Sequence, residues 1–317
     1  MIKQKTVFIL GAGASMPYNF PSGAQLRTLI CAATTQPQQT TLGQWLIKGM
    51  AEATALIAFA QAFSRSNVIS IDAFLDKRRE FLDIGKMAIA AVLTEIERKQ
   101  RYMVFSDSLD DHWYRLLWNA MIFGAQRHED VRFNQVRFVT FNYDRSLEYF
   151  FHESAKHAFG IDDAAGLQFV NNLNILHVYG LLGKYAITTE GDGRAYGEQR
   201  SEAELKIAAG GIQLIPEARG DEVFLKAREW FSWADRICFL GFGFDPLNIE
   251  RLNLASVLQY KYENRQNIPG VFASTLGRTK AEVLADLKRC LGGVGSWSER
   301  DLNNSMTLRT LNLLTPD

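Results

Sequence analysis

The pentad Gly11-Ala12-Gly13-Ala14-Ser15 follows directly on the apolar run Val7-Phe8-Ile9-Leu10, and it constrains the fold more than any other part of the chain. A short buried strand ending in a glycine turn brings backbone N–H groups close enough to meet a phosphate, as in nucleotide-binding α/β sheets. The surroundings narrow the reading. The dinucleotide fingerprint G-x-G-x-x-G has a third glycine where this chain has Met16, and an acidic residue about 20 positions further on to hold the ribose. Here no Asp or Glu occurs between Gly11 and Glu52. Pro17 and Pro21 follow at once, so the turn cannot open directly into a helix. Ser22 is a good N-cap and predicts a helix through Leu26 and Leu29. The segment reads as a nucleotide loop of a different kind from a dehydrogenase's.

The chain has 317 residues, 47% of them hydrophobic, enough for a full core in one large domain or two. Lys+Arg and Asp+Glu both number 35, so the formal charge is zero and no direct nucleic-acid binding is expected. The apolar run after Lys5 is too short for a signal segment. No stretch of about 18 uninterrupted apolar residues exists, so no membrane span is expected and the location is read as cytoplasmic. Cys31, Cys238 and Cys290 lie far apart without a C-x-x-C pair. A four-thiolate zinc site within one chain is thereby excluded, no metal is expected, and three buried, inert thiols are predicted.

The texture predicts an α/β fold, a Rossmann-like parallel sheet flanked by helices, with an all-helical insertion. Residues 1–35 and 132–317 are assigned to the sheet domain and 36–131 to the helical insertion. In the insertion Ser70 is read as the cap of a helix whose buried face continues through Phe74, Leu75, Phe81, Leu82 and Ile89. Another helix follows Asp110. Predicted strands are Val136–Thr140, Asn174–His177, Ile212–Ile215, Ile237–Leu240 and Gly270–Ala273. Predicted helices span Asp144–Phe159, Glu222–Trp233, a segment from Asn248, and Arg278–Leu291. Thr188–Gly197, rich in glycine and charge, is predicted to be a mobile loop.

Two further motifs directly follow predicted strands, where an open α/β sheet binds its ligand. They are Thr140-Phe141-Asn142-Tyr143-Asp144 and Gly241-Phe242-Gly243-Phe244-Asp245-Pro246. A third segment, His177-Val178-Tyr179-Gly180, sets a histidine near a glycine turn. Each has a purely structural reading as well: a turn at Gly11–Ser15, a turn residue at Asn142, a helix cap at Asp144, a hydrogen-bonded core histidine at His177. His112, His128, His152 and His157 are read as surface or packing residues. Trp230 and Trp233 are read as packing, and Lys77–Arg79 and Arg98–Arg101 as solvated helix faces.

Taken in order, these pieces resemble the sirtuin-like family, specifically its NAD-consuming branch in bacterial antiphage defence. The matching residues are Gly11–Ser15 with Phe20-Pro21-Ser22-Gly23, Ser70–Leu75, Thr140–Asp144 through Leu147-Glu148, His177–Gly180, and Gly241–Asp245. They span the chain to roughly residue 260. The resemblance implies that Gly11, Ala12, Gly13, Ala14 and Ser15, with Pro21 and Gly23, hold the NAD phosphates. It implies that Asn142 and His177 act at the nicotinamide ribose and that Asp144 lies near the carboxamide. Gly180 belongs to the same edge, and Gly241, Phe242 and Gly243 fall on the adenosine side. Deacylating members carry glutamine where this chain has Phe141, and histidine directly before the glycine where it has Tyr179.

The residue types suit glycosidic cleavage. Nicotinamide in NAD is a pyridinium and leaves without a general acid. The site must stabilise an oxocarbenium-like ribose and position water or a hydroxyl. A neutral amide orients water without a competing charge, and a histidine can accept a proton near neutral pH. The reading is an NAD glycohydrolase giving nicotinamide and ADP-ribose, linear or cyclic, with NAD as substrate and no zinc. By resemblance it is an effector that depletes NAD on infection. Little chain follows Tyr260, so its trigger is expected from homo-oligomeric assembly or a separate partner, of ATPase or Argonaute type by resemblance. An NAD-dependent protein deacylase and a non-catalytic NAD or ADP-ribose-binding module are the alternatives.

Overall fold

A computed structural model of the chain describes residues 1–49, 52–68, 70–109, 112–198, 201–214, 222–274, 279–292 and 302–303. Strand β1 (Thr6–Leu10) is buried at every residue. An unbroken apolar run of this kind suits a central parallel strand covered on both faces. It is flanked in register by β2 (Val136–Thr140), with Thr6 opposite Val136, and by β6 (Arg236–Leu240), with Thr6 opposite Arg236. β3 (Ile175–His177) extends the sheet beyond β2, while β7 (Gly270–Ser274) and β8 (Leu302–Asn303) extend it beyond β6. All these pairs are parallel, in the order β3-β2-β1-β6-β7-β8. Two short segments, β4 (Lys184–Tyr185) and β5 (Gly193–Arg194), pair separately. Numbered along the chain, the six strands of the large sheet run 3-2-1-4-5-6, the doubly wound order whose direction reverses beside the first strand. A crevice at the carboxyl ends of β1 and β6 is where such a sheet takes a ligand.

Among the described residues, six α-helices lie between β1 and β2: α1 (Gly23–Thr35), α2 (Thr41–Gly49), α3 (Ala53–Arg65), α4 (Ile71–Lys77), α5 (Leu82–Gln100) and α6 (Trp113–Ile122). Ser22 and Gln25 close a reciprocal capping box at the start of α1, as the sequence predicts for Ser22. Ser70 likewise caps α4. The helix expected through Ile89 is divided, however. The chain turns at Arg78, passes through a single 3-10 turn over Arg79–Phe81, and restarts as α5. That break folds Phe81 back onto Phe59 and Phe74, with ring centroids 5.7 and 6.1 Å apart. Aromatic packing, rather than a continuous stripe, buries Phe59 and Phe74 and half-buries Phe81.

After β2 come α7 (Ser146–Phe159), α8 (Asp163–Asn171), α9 (Glu202–Gly211), α10 (Glu222–Trp233), α11 (Pro246–Leu252), α12 (Leu254–Glu263) and α13 (Lys280–Cys290). Helix α5, buried from Met87 to Glu95, packs against α1, α2 and α9, so residues on both sides of β2 share its surroundings. One continuous apolar cluster joins the sheet to these helices. The described part of the expected strand Ile212–Ile215 forms only an isolated bridge, from Ile212 to Gly180, and Ile215 lies outside the described residues. Arg278 lies outside them too. Among the described residues, no single helix is long and apolar enough to cross a membrane.

Candidate functional site

The loops after β1 and β6 meet backbone to backbone. Gly11 N–H donates to Leu240 O and Gly13 N–H to Gly241 O, both at 3.0 Å. A Cβ on Gly11 would lie 2.5 Å from Gly241 O, and one on Gly13 would lie 2.7 Å from Gly241 Cα. Gly241 itself has φ 55°, a left-handed conformation that favours glycine. Glycine is therefore required here by the approach of two protein loops. The N–H groups of Ala14 and Ser15 also donate within the loop, to Gly11 O and Ala12 O. In this conformation four of the five pentad N–H groups are engaged by the protein itself. Ala12 is exposed in the first loop, Gly243 and Asp245 in the second, and nothing stands within 4 Å of where a Gly243 Cβ would be.

Asn142 leaves the end of β2 and reaches across to the first loop. Its Nδ2 donates to Gly11 O and to Ser15 Oγ, each at 3.0 Å. Ser15 Oγ in turn donates to Asp144 Oδ2 at 2.9 Å. The other Asp144 oxygen accepts from Ser146 N–H at 3.1 Å and from the Ser146 hydroxyl. Burial pushes the Asp144 carboxyl above its ordinary value, and the hydrogen bonds from Ser146 and Ser15 offset part of that push. Asn142, Ser15 and Asp144 thus form one chain of hydrogen bonds at the carboxyl edge of the sheet, as the motif positions imply.

His177 stands behind this chain, at the end of β3. Its Nδ1 lies 2.8 Å from the main-chain oxygen of Asn142, and its Nε2 lies 2.7 Å from Glu148 Oε1. The His177 and Glu148 side chains are only 8% and 7% exposed. Burial lowers the affinity of the ring for a proton, but the Glu148 carboxylate and the two hydrogen bonds outweigh it and hold the ring above its ordinary value. Gly180, at φ 70°, makes the turn out of β3 against Gly211. Between them Tyr179 donates its hydroxyl to Asn248 Oδ1 at 2.6 Å, and burial pushes its phenol up to about 12. Phe141 meets Phe242 edge to face at 5.0 Å and Tyr179 at 5.6 Å, so aromatic rings join the loops after β2, β3 and β6.

Pro21 and Gly23 take no part in the hydrogen-bonded cluster. Pro21 lines a cleft of about 400 Å³ with Met16, Phe20 and Leu29, and Gly23 is the exposed first residue of α1.

Sequence reasoning missed the groups that hold the site loop from below. Arg145, between Asp144 and Ser146, is fully buried and pairs with Glu97 of α5, its Nη2 2.8 Å from Glu97 Oε2. Glu97 also pairs with the fully buried Arg194 of β5, which binds Glu204 of α9 at 2.8 Å. Burial opposes ionisation of Glu97, and the two arginines overcome it and lower its carboxyl below the ordinary range. The segment Thr188–Gly197, expected to be mobile, instead carries Arg194 with no exposure and a buried Tyr196 stacked on Tyr149 at 4.2 Å. Asp72, in the first turn of α4 where the sequence places it beside the Ser70 cap, also accepts the Tyr143 hydroxyl at 2.7 Å.

One cluster among the described residues, His152, Glu153 and Asp163, could bring three ligand atoms together. Its His152 nitrogens contact Tyr185 Oη and the Asp163 main-chain oxygen, and Lys156 bridges Glu153 and Asp163. That ammonium does the work a cation would do. No protein-family model and no curated protein matches the chain.

Proposed function

We propose that this chain is a sirtuin-like NAD glycohydrolase that releases nicotinamide and ADP-ribose, in linear or cyclic form. The observation that supports it most is the contact of Asn142 Nδ2 with Gly11 O and Ser15 Oγ beside the Gly13–Gly241 junction. Three motifs far apart in sequence converge there on the reversal point of a doubly wound sheet, the crevice in which such sheets take dinucleotides. A Rossmann-like fold fits the strand order. The diphosphate would cross the exposed face of Ala12 and Gly243, the ribose would face Asn142, and the carboxamide would face Asp144. Asn142 would orient water at the ribose carbon, where the pyridinium departs without a proton donor.

By the same resemblance the chain would be a cytoplasmic effector that depletes NAD in defence against phage. Residues 36–131, as a helical insertion, would form its lid or assembly surface, with self-association or a separate ATPase or Argonaute-type partner as trigger. The test is mass spectrometry of NAD incubated with the chain, alone and with the protein that co-purifies with it, beside Asn142→Ala. Nicotinamide and ADP-ribose from the parent only are expected. NAD left intact under both conditions would overturn the proposal.

A further inference from the structure

The ring of His177 has two nitrogens, and both face oxygen atoms of the protein. A main-chain carbonyl can only accept, so the 2.8 Å contact with Asn142 O requires a proton on Nδ1. An ionised Glu148 can also only accept, so the 2.7 Å contact with its Oε1 requires a proton on Nε2. A neutral imidazole carries one N–H, and an imidazolium carries two. Neither nitrogen then keeps a lone pair with which to take a proton from a nucleophile.

We propose that Glu148 is a positioning residue of this site: through an imidazolium at His177 it fixes the main chain of Asn142. The carboxylate sits in the first turn of α7, where the helix dipole favours a negative charge. Asp144 adds a second negative charge toward the ring, and Arg145 and Tyr185 are the other titratable groups that act on the pair. Asn142 is then held at four points, by His177 at its carbonyl, by Thr140 Oγ1 at its main-chain N–H, and by Gly11 and Ser15 at its side-chain amide. That restraint aims the amide, and a loop misplaced by an ångström can lose on the order of 10²-fold in rate.

The role in turnover rests on the NAD reading, whereas the protonation of the ring does not. The experiment is NMR of the full chain with ¹⁵N-labelled histidine at pH 8, on the parent and on Glu148→Gln, with NAD turnover measured against pH in parallel. The parent is expected to show both His177 nitrogens protonated at pH 8, well above the ordinary histidine value of 6.5. Glu148→Gln should show a ring with one N–H and shifted Asn142 side-chain amide signals. For turnover, the His177-dependent limb should lie on the alkaline side, where the ring loses its second proton. Glu148→Gln should lower kcat by on the order of 10²-fold with KM little changed, and Glu148→Asp should recover part of it.

A parent ring with one bare nitrogen at pH 8 would overturn the proposal even if the variants do not fold, and so would an acid limb that disappears in a folded His177→Gln. Doubly protonated His177 in a chain that leaves NAD intact, both alone and with the protein that co-purifies, would uphold the buried pair and sink the NAD reading alone.

Discussion

Glu97 Oε2 and Arg145 Nη2 lie 2.8 Å apart with neither side chain exposed to solvent. Through this pair helix α5 grips the loop that carries Asn142 and Asp144, and through Arg194 the same carboxylate grips β5. Glu97→Ala would leave two guanidinium groups buried without their shared partner. A loss of about 3–5 kcal/mol is expected, measured by urea unfolding. Replacing Glu97 and Arg145 together by apolar residues of similar size should cost less than the sum of the single changes.

Glu204, at the far end of that network, gives it a pH dependence. Burial raises its carboxyl from 4.5 to about 7, against the pull of Arg194. Between those two values the folded chain binds more protons at this position than the unfolded chain, so its contribution to stability falls as pH rises. The contribution is complete below 4.5 and lost above 7. Unfolding midpoints measured across this window should show a downward component that Glu204→Gln removes.

Glycine substitutions separate the packing of the loops from binding. Gly11→Ala and Gly13→Ala would drive a methyl into the backbone of Gly241, at a cost of about 1–3 kcal/mol by thermal unfolding. Gly243→Ala meets no protein atom within 4 Å and should leave the melting temperature within a degree or two of the parent's. A fall in NAD turnover for that variant would then report on the ligand.

Asn142→Ala removes the donor to Gly11 O and Ser15 Oγ. Stability should fall by about 1 kcal/mol, while NAD cleavage should fall by on the order of 10²-fold or more. A variant that unfolds before it loses activity would show Asn142 to be a structural turn residue only.

Thiol reactivity tests the core. Cys238 and Cys290 are buried and their thiols are pushed up by burial, while Cys31 is half-buried. Titration with a thiol reagent should modify Cys31 first and reach the other two only on unfolding.

Where one segment contained its own signal, the sequence was readable. The apolar run of β1, the capping residues Ser22 and Ser70, and helix α10 were all expected and are all present. Where the signal depended on a distant partner, it failed. The stretch around Gly193 and Arg194 has the composition of a flexible loop, and nothing local says that Arg194 meets Glu97 and Glu204. The break at Arg78–Phe81 carries neither glycine nor proline and is decided by the aromatic cluster it completes. At the carboxyl edge of the sheet, the motif positions told which loops meet, those of Gly13, Asn142 and Gly241. The roles of Gly11 and His177 depend on Gly241 and Glu148, which only the folded chain brings to them.

The place of β1 in the middle of the sheet has a consequence for synthesis. Its neighbours in register begin at Val136 and Arg236, so β1 leaves the ribosome well before either of its edges can be paired. All of its sheet contacts are long-range, which slows folding and leaves an apolar strand open to wrong partners meanwhile. Nascent chains that stop after α6 should therefore need chaperones, and α1 to α6 should gain lasting order only once β2 and β6 have emerged.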